Sequence, residues 1–114
     1  MSQDCIFCKI IAGDIPATLL YEDDDILAFN DISPQAPTHI LVIPRTHITG
    51  PGALTEADQA LIGKLILKGT ELARDAKLDN GFRLVMNNGE SAGQTVFHLH
   101  LHVLGGRAMT WPPG

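Results

Sequence analysis

Three of the chain's five histidines stand on every second residue of one short stretch, Phe97-His98-Leu99-His100-Leu101-His102-Val103-Leu104. A free imidazole has a pKa of about 6.5, so at neutral pH much of it carries a lone pair. A neutral histidine can attack phosphorus and form a covalent intermediate, which splits one hard displacement into two easier ones. For that, one ring nitrogen must be held as a donor while the other points at phosphorus, and a backbone carbonyl can supply the hold. His100, in the middle, is the natural nucleophile. His102, two residues on, is placed to hydrogen-bond a phosphate oxygen or the leaving group. Three histidines along one strand can also chelate a metal, so a metallohydrolase is a competing reading.

The loop before this stretch contains Gly89 and Gly93, which let backbone amides turn toward an anion. Asn87 and Thr95 add side-chain hydrogen bonds. There is no Gly-Lys-Ser/Thr, so this is not a P-loop, and an ordinary tight connection has the same composition. Cys5-x-x-Cys8 offers two thiolates and needs two further ligands to close a tetrahedral zinc site. The good ligands left are His39, His47, His98, His100 and His102. A redox dithiol is the alternative, although no thioredoxin-like βαβ pattern surrounds the pair.

The elements that position these groups follow from periodicity. The alternation at 97–104 predicts a strand with the histidines on one face and Leu99, Leu101 and Val103 on the other, packed on a core. A rise of about 3.3 Å per residue puts neighbouring imidazoles roughly 6.6 Å apart, room for a phosphate-sized group. Cys5 to Ala12 suits one or two helical turns ended by Gly13. Thr18 to Tyr21 and Ile26 to Asn30 read as strands joined through the acidic turn 22–25. His39 to Ile43 is a nearly continuous apolar run, a central strand ended by Pro44. The one long helix runs from Thr55 to about Leu78. Thr55 and Asp58 form its capping signature, and Asp79-Asn80-Gly81 ends it. Gly63 and Gly69 inside this helix each cost about 1 kcal/mol relative to Ala, which close approach of another helix would explain, as would an accident of drift. Phe82 to Asn87 alternates again and reads as a strand. Antiparallel strands with one long helix and no βαβ rhythm give an α+β fold.

At 114 residues the chain makes one domain, 1–114, with 105–114 as a tail that carries the single tryptophan. The formal charge of −5 argues against a nucleic acid polymer as partner. No stretch approaches the roughly 20 apolar residues of a membrane span, and the N-terminus lacks the pattern of a signal peptide. A cytoplasmic protein with reduced thiols is the expectation.

With these residues placed, the chain resembles the histidine triad (HIT) superfamily, whose signature is His-x-His-x-His followed by apolar residues. Residues 29–39 look like the family's ribose-side loop and strand, and Gly93-Gln94-Thr95-Val96 like its phosphate loop. Gly105-Gly106-Arg107 and Trp111-Pro112-Pro113-Gly114 look like the tail of the nucleotide-binding protein branch. The resemblance implies a HIT-like fold, an antiparallel sheet of about five strands with one long and one short N-terminal helix. It implies a homodimer whose sheet continues across the two-fold. It further implies binding of purine nucleoside monophosphates and hydrolysis of their phosphoramidates. In that scheme His100 is the nucleophile, His102 and Thr95 contact phosphate, and His39 supports them. Asp31 and Ile32 meet ribose and base, and Asn87, Gly93 and Gln94 complete the pocket. Cys5, Cys8, His47 and His98 match a structural zinc set, one ion per chain.

Thr95 stands where many members of that branch have Ser, which keeps the hydroxyl. Asn30 replaces a His of animal members, and residues 88 and 90–92 differ from the animal loop, which bears on leaving-group preference. A nucleotide- or partner-binding module with vestigial hydrolysis uses the same contacts and is the second functional reading. The dimer is expected to use the strand 82–87 and the long helix, with Gly63 or Gly69 at the contact.

Overall fold

In the computed structural model, which describes residues 4–114, five strands form one antiparallel sheet with a helix on each face. In chain order the elements are α1 (Ile6–Ala12), β1 (Leu19–Glu22), β2 (Ile26–Asn30), β3 (Thr38–Pro44), α2 (Gln59–Asp75), β4 (Phe82–Val85) and β5 (Leu101–Gly105). The sheet order is β1-β2-β3-β5-β4, so β1 and β4 are the edges.

The central strands bury both faces, which is why β3 reads as a nearly continuous apolar run. Ile26, Ala28, Ile40, Val42, Leu101 and Val103 pack with Leu65 and Ala73 of α2. Leu27, Phe29, Leu41 and Ile43 pack on the other face with Cys5 and Phe7. Leu99, Leu101 and Val103 thus join the α2 core as their alternation predicts. On the opposite face His102 lies across from Leu41.

The histidine strand is shorter than the alternation suggests. Pairing of β3 with β5 runs from Thr38↔Gly105 to Val42↔Leu101 and stops. Two residues further on, Leu99 would stand opposite Pro44, which has no N–H to give to a ladder. The Leu99 amide instead bonds the Ile48 carbonyl at 2.6 Å, so His98 and His100 precede the strand rather than belong to it.

The long helix is also trimmed. The capping box of Thr55 and Asp58 forms, but it opens a 3₁₀ turn, Glu56–Asp58, and the α-helix begins at Gln59. At the other end Lys77 takes φ 64° and the Leu78 amide returns to the Ala73 carbonyl, so the helix stops before Asp79. The two helix glycines differ. A Cβ on Gly69 would lie 2.8 Å from Leu101 Cδ2 and 3.2 Å from Val103 Cγ2, whereas Gly63 has nothing within 4 Å. Gly69 therefore serves approach to the chain's own sheet, not to another helix, and is unavailable to the dimer contact expected of it. The strand expected over 82–87 ends at Val85. No helix among the described residues is long and apolar enough to cross a membrane.

Candidate functional site

The site gathers on the α1 face, where β3 and the segment leading into β5 meet the loops at 31–35 and 93–96. A cleft of about 980 Å³ opens there. Asp31, Ile32, His39, Gly93, Thr95, His100 and His102 line it, together with an apolar wall that includes Phe7, Ile10, Ile15, Phe29 and Leu41. The volume suits a mononucleotide-sized ligand.

Each histidine is held differently, and carbonyl partners fix the tautomers because a carbonyl oxygen only accepts. His100 Nδ1 donates to the His98 carbonyl at 2.6 Å, which leaves Nε2 with the lone pair. His39 Nδ1 accepts the Gln35 amide at 3.0 Å, so its proton is on Nε2. That proton has two neighbours, His102 Nδ1 at 2.9 Å and an Asp31 carboxylate oxygen at 3.5 Å, and the shorter contact is the hydrogen bond. His102 Nδ1 is thereby an acceptor, and in the neutral ring Nε2 carries the remaining proton. Burial pushes the pKa of His39, His98 and His100 below the usual histidine value. His102 falls to about 4, chiefly through burial and then through the neighbouring His100 and His39. These imidazoles are neutral at pH 7.

The rings of His100 and His102 are closer than ideal strand geometry predicts, with centroids 4.8 Å apart and planes at 63°. A phosphate therefore does not fit between them and must approach over the side that faces the cleft. Phe7 places its ring edge-on to His100 with centroids 5.1 Å apart. Sequence reading singled out neither Phe7 nor the Gln35 amide. Phe7 is signalled only by its place between the two cysteines in an apolar turn, and a backbone amide leaves no signature at all.

The remaining expected residues divide. Ile32 is 95% exposed at the cleft mouth. One oxygen of Asp31 already accepts the Ser33 amide at 2.8 Å, which fixes the carboxylate. Gln94 is buried, and its side chain is engaged with the Gly89 amide and the carbonyls of Thr49 and Val96, so it shapes the loop from inside rather than facing the cleft. Gly93 takes φ 93°, the left-handed region that favours glycine. Asn87 lies behind it, its Nδ2 4.0 Å from where a Gly93 Cβ would be. It does not line the cleft.

A second cluster joins Cys5, Cys8, His47 and His98, whose ligand atoms all lie within 4.8 Å of one another. Cys5 Sγ and Cys8 Sγ are 3.3 and 3.5 Å from His98 Nδ1. His47 Nδ1 lies 3.3 Å from Cys8 Sγ and 3.1 Å from His98 Nδ1. Zinc bonds of about 2.0–2.3 Å set tetrahedral edges of roughly 3.3–3.8 Å, close to these separations. His98 Nε2 donates to the Pro44 carbonyl at 2.8 Å, so Nδ1 faces the sulfurs with a bare lone pair. The donor set fits zinc. Without an ion, burial and the adjacent Cys5 raise the Cys8 thiol to about 11. Asp31, His39 and His102 also lie within 4.8 Å of one another, but the 2.9 Å His39–His102 separation is that of a hydrogen bond, shorter than a ligand edge.

Comparison with known proteins finds likeness along nearly the whole chain. The HIT domain family model matches residues 12–109. An uncharacterized HIT-like protein of Synechocystis is 55% identical over 114 residues, all of both chains. A 14 kDa zinc-binding protein of Brassica juncea is 47% identical over 113 residues, covering 97% of this chain and 100% of its own. Among solved structures, a HIT family hydrolase from Legionella pneumophila superposes with a TM-score of 0.95 at 50% identity, covering 97% of this chain and 100% of the other.

Proposed function

This chain belongs to the HIT domain family, and on that premise we propose that it is a purine nucleoside phosphoramidase acting through a nucleotidyl-histidine. The observation that carries the reading is the bond from His100 Nδ1 to the His98 carbonyl, which aims the Nε2 lone pair into the cleft. A nucleoside 5′-monophosphoramidate would lie with its phosphorus over His100. Nε2 attacks phosphorus, the P–N bond breaks, and the amine takes up a proton as it leaves. Water then attacks the same phosphorus, the P–His100 bond breaks, and the nucleoside monophosphate departs with His100 restored. His102 Nε2–H donates to a phosphate oxygen, and the Thr95 hydroxyl supports it. Asp31 accepts from the ribose hydroxyls, and Ile32 with the apolar wall receives the purine.

The cluster of Cys5, Cys8, His47 and His98 would hold one structural zinc. With four protein ligands it keeps no open position for water. The ion would pin α1 and the His47 loop against the segment that carries His100. Two solved HIT relatives, from Legionella pneumophila and Clostridium thermocellum, are named hydrolases, and the Brassica relative is named for zinc binding, which supports both halves of this reading. A homodimer would pair the free edge of β4 with its counterpart, and the tail with Trp111, 82% exposed, would reach the partner's cleft.

Mass spectrometry of the protein quenched with a slow phosphoramidate tests the chemistry. The expected result is one nucleotidyl group on His100. His100→Ala should still bind a purine monophosphate but turn over at least about 10³-fold more slowly. Turnover by that variant at the wild-type rate would sink the assignment. Binding without turnover by the wild type would leave a binding module.

A further inference from the structure

The two cysteines form a close pair at the start of α1, a spacing that serves a zinc site and equally a dithiol able to close on itself. Cys5 is the N-cap of α1, with extended backbone at φ −89° and ψ 117°, and Cys8 stands one turn on. The Cys8 amide points at Cys5 Sγ at 3.3 Å, so the two thiols face the same side of the turn. Both are free, and both sulfurs lie against the same nitrogen, His98 Nδ1. Two cysteines three residues apart on one helical turn can join without a change of fold, since their sulfurs already lie within 4.8 Å of each other. Cys5 is buried and Cys8 is half-exposed, so an oxidant from solvent meets Cys8 first. A dithiol in which one sulfur is reachable and the other waits behind it is the arrangement of a sensor cysteine with its resolving partner.

We propose that Cys5 and Cys8 form a peroxide-oxidised dithiol, closing to a disulfide within α1 that dismantles the metal site. This rests on the reading of the cluster as a zinc site. The step balances as follows. Cys8, which zinc would hold as the thiolate, attacks one oxygen of a hydroperoxide; the O–O bond breaks, the alcohol or water leaves with one proton from solvent, and Cys8 becomes a sulfenic acid. Cys5 sulfur then attacks Cys8 sulfur; the S–O bond breaks, water leaves with a second proton, and the S–S bond forms. The two sulfurs give up two electrons and the peroxide takes them. The site keeps only His47 and His98, too few to hold zinc tightly.

The consequence reaches the cleft through Phe7, which lies between the two cysteines in sequence. Its buried ring meets His98 at 5.8 Å and His100 at 5.1 Å between centroids. Joining the flanking sulfurs would remove the ion beside His98, whose carbonyl holds His100, and so loosen both rings where they meet Phe7. Oxidation is therefore expected to lower turnover several-fold and reversibly.

The full chain, purified with its metal, would first be assayed for zinc and then treated with hydrogen peroxide near stoichiometry. Released zinc would be followed with a chromophoric indicator, and thiols and disulfides by intact mass and peptide mapping. The expected result is one zinc released for each Cys5–Cys8 disulfide formed, with dithiothreitol and added zinc restoring both metal and thiols. In Cys5→Ser, dimedone should trap a sulfenic acid on Cys8. If the protein as purified binds no metal, the zinc reading falls and this proposal falls with it. If zinc is bound but stays while peroxide oxidises other residues, or if the cysteines go to sulfinic acid or to disulfides between chains, the zinc reading stands and the switch is refuted. Should Cys5→Ser fail to fold, the ratio of zinc released to disulfide formed in the wild type decides the matter alone.

Discussion

His39 offers the sharpest test of how the site is aimed. Its ring spans two hydrogen bonds, receiving from the Gln35 amide at 3.0 Å and giving to His102 Nδ1 at 2.9 Å. It is 4% exposed, so a Phe of similar shape should be accommodated. His39→Phe removes both bonds at once. The Gln35 amide sits in an exposed loop where water can reach it, so its loss should cost near the low end of about 1–3 kcal/mol. The catalytic cost is different in kind. His102 keeps its ring but loses what fixes its direction and its proton. Deleting an oriented donor to developing charge outright costs about 10²–10³ in kcat. Misaiming one that remains should cost about ten- to a hundredfold. Steady-state kinetics on a fluorogenic phosphoramidate would show kcat falling with KM little changed. A double-mutant cycle separates aim from stability: in a His102→Ala background, His39→Phe should cost almost nothing more. If the two losses multiplied independently, or if His39→Phe left kcat unchanged in a less stable protein, the relay from Gln35 through His39 to His102 would be wrong.

Gly63→Ala should stabilise the chain by about 0.5–1 kcal/mol through helix propensity alone, because nothing lies within 4 Å of the new methyl. Gly69→Ala, where the methyl would sit 2.8 Å from Leu101 Cδ2, should destabilise by up to about 2 kcal/mol once overpacking outweighs that gain; urea midpoints of the two variants moving the same way would contradict the packing described here. Removal of zinc with a chelator should lower the melting temperature without unfolding the chain, since the α2 face holds a core of its own. Complete unfolding would show that the fold depends on the ion. The buried histidines set the acid limit. His102 titrates at about 4 when folded against 6.5 when free, so its contribution to stability is whole above pH 6.5 and drains away as pH falls toward 4, by at most about 3 kcal/mol. Because burial also lowers His100, kcat/KM should hold through pH 6.5 and fall only below it, and an acid limb centred above 6.5 in the pH–rate profile would overturn this assignment.

The sequence was most readable where one element determines its own pattern. β2 runs over Ile26–Asn30 as expected, the capping box at Thr55 forms, and the core side of the histidine alternation packs as predicted. Expectation failed where a second element intervened. The strand before Leu101 is cut short by Pro44 on its neighbour, a residue 57 positions away in sequence that local periodicity cannot consult. Lys77 ends α2 before the obvious Asn80-Gly81 because Leu78 is drawn into the core beside Gly105. For the same reason Gly69 was misread: only the folded chain shows that its missing side chain leaves room for Leu101. Of the candidate site, side chains that line the cleft, Asp31, His39, His100 and His102, could be named in advance. The histidine tautomers could not, because each depends on a backbone group: the His98 carbonyl, the Pro44 carbonyl and the Gln35 amide.

The early end of the β5 ladder carries an engineering lesson. A protein engineer seeking a sturdier sheet would extend that strand through residues 98–100 by replacing Pro44 with Val to restore the missing donor. Carbonyls recruited into a regular ladder point along the sheet at a neighbouring strand. The His98 carbonyl, free of the ladder, is the one that holds His100. Tidying the sheet would enlist that oxygen elsewhere and leave the central imidazole to spin. The irregularity is thus a place where thermal robustness and turnover pull against each other, and a stability screen run without an activity screen would select against the working protein.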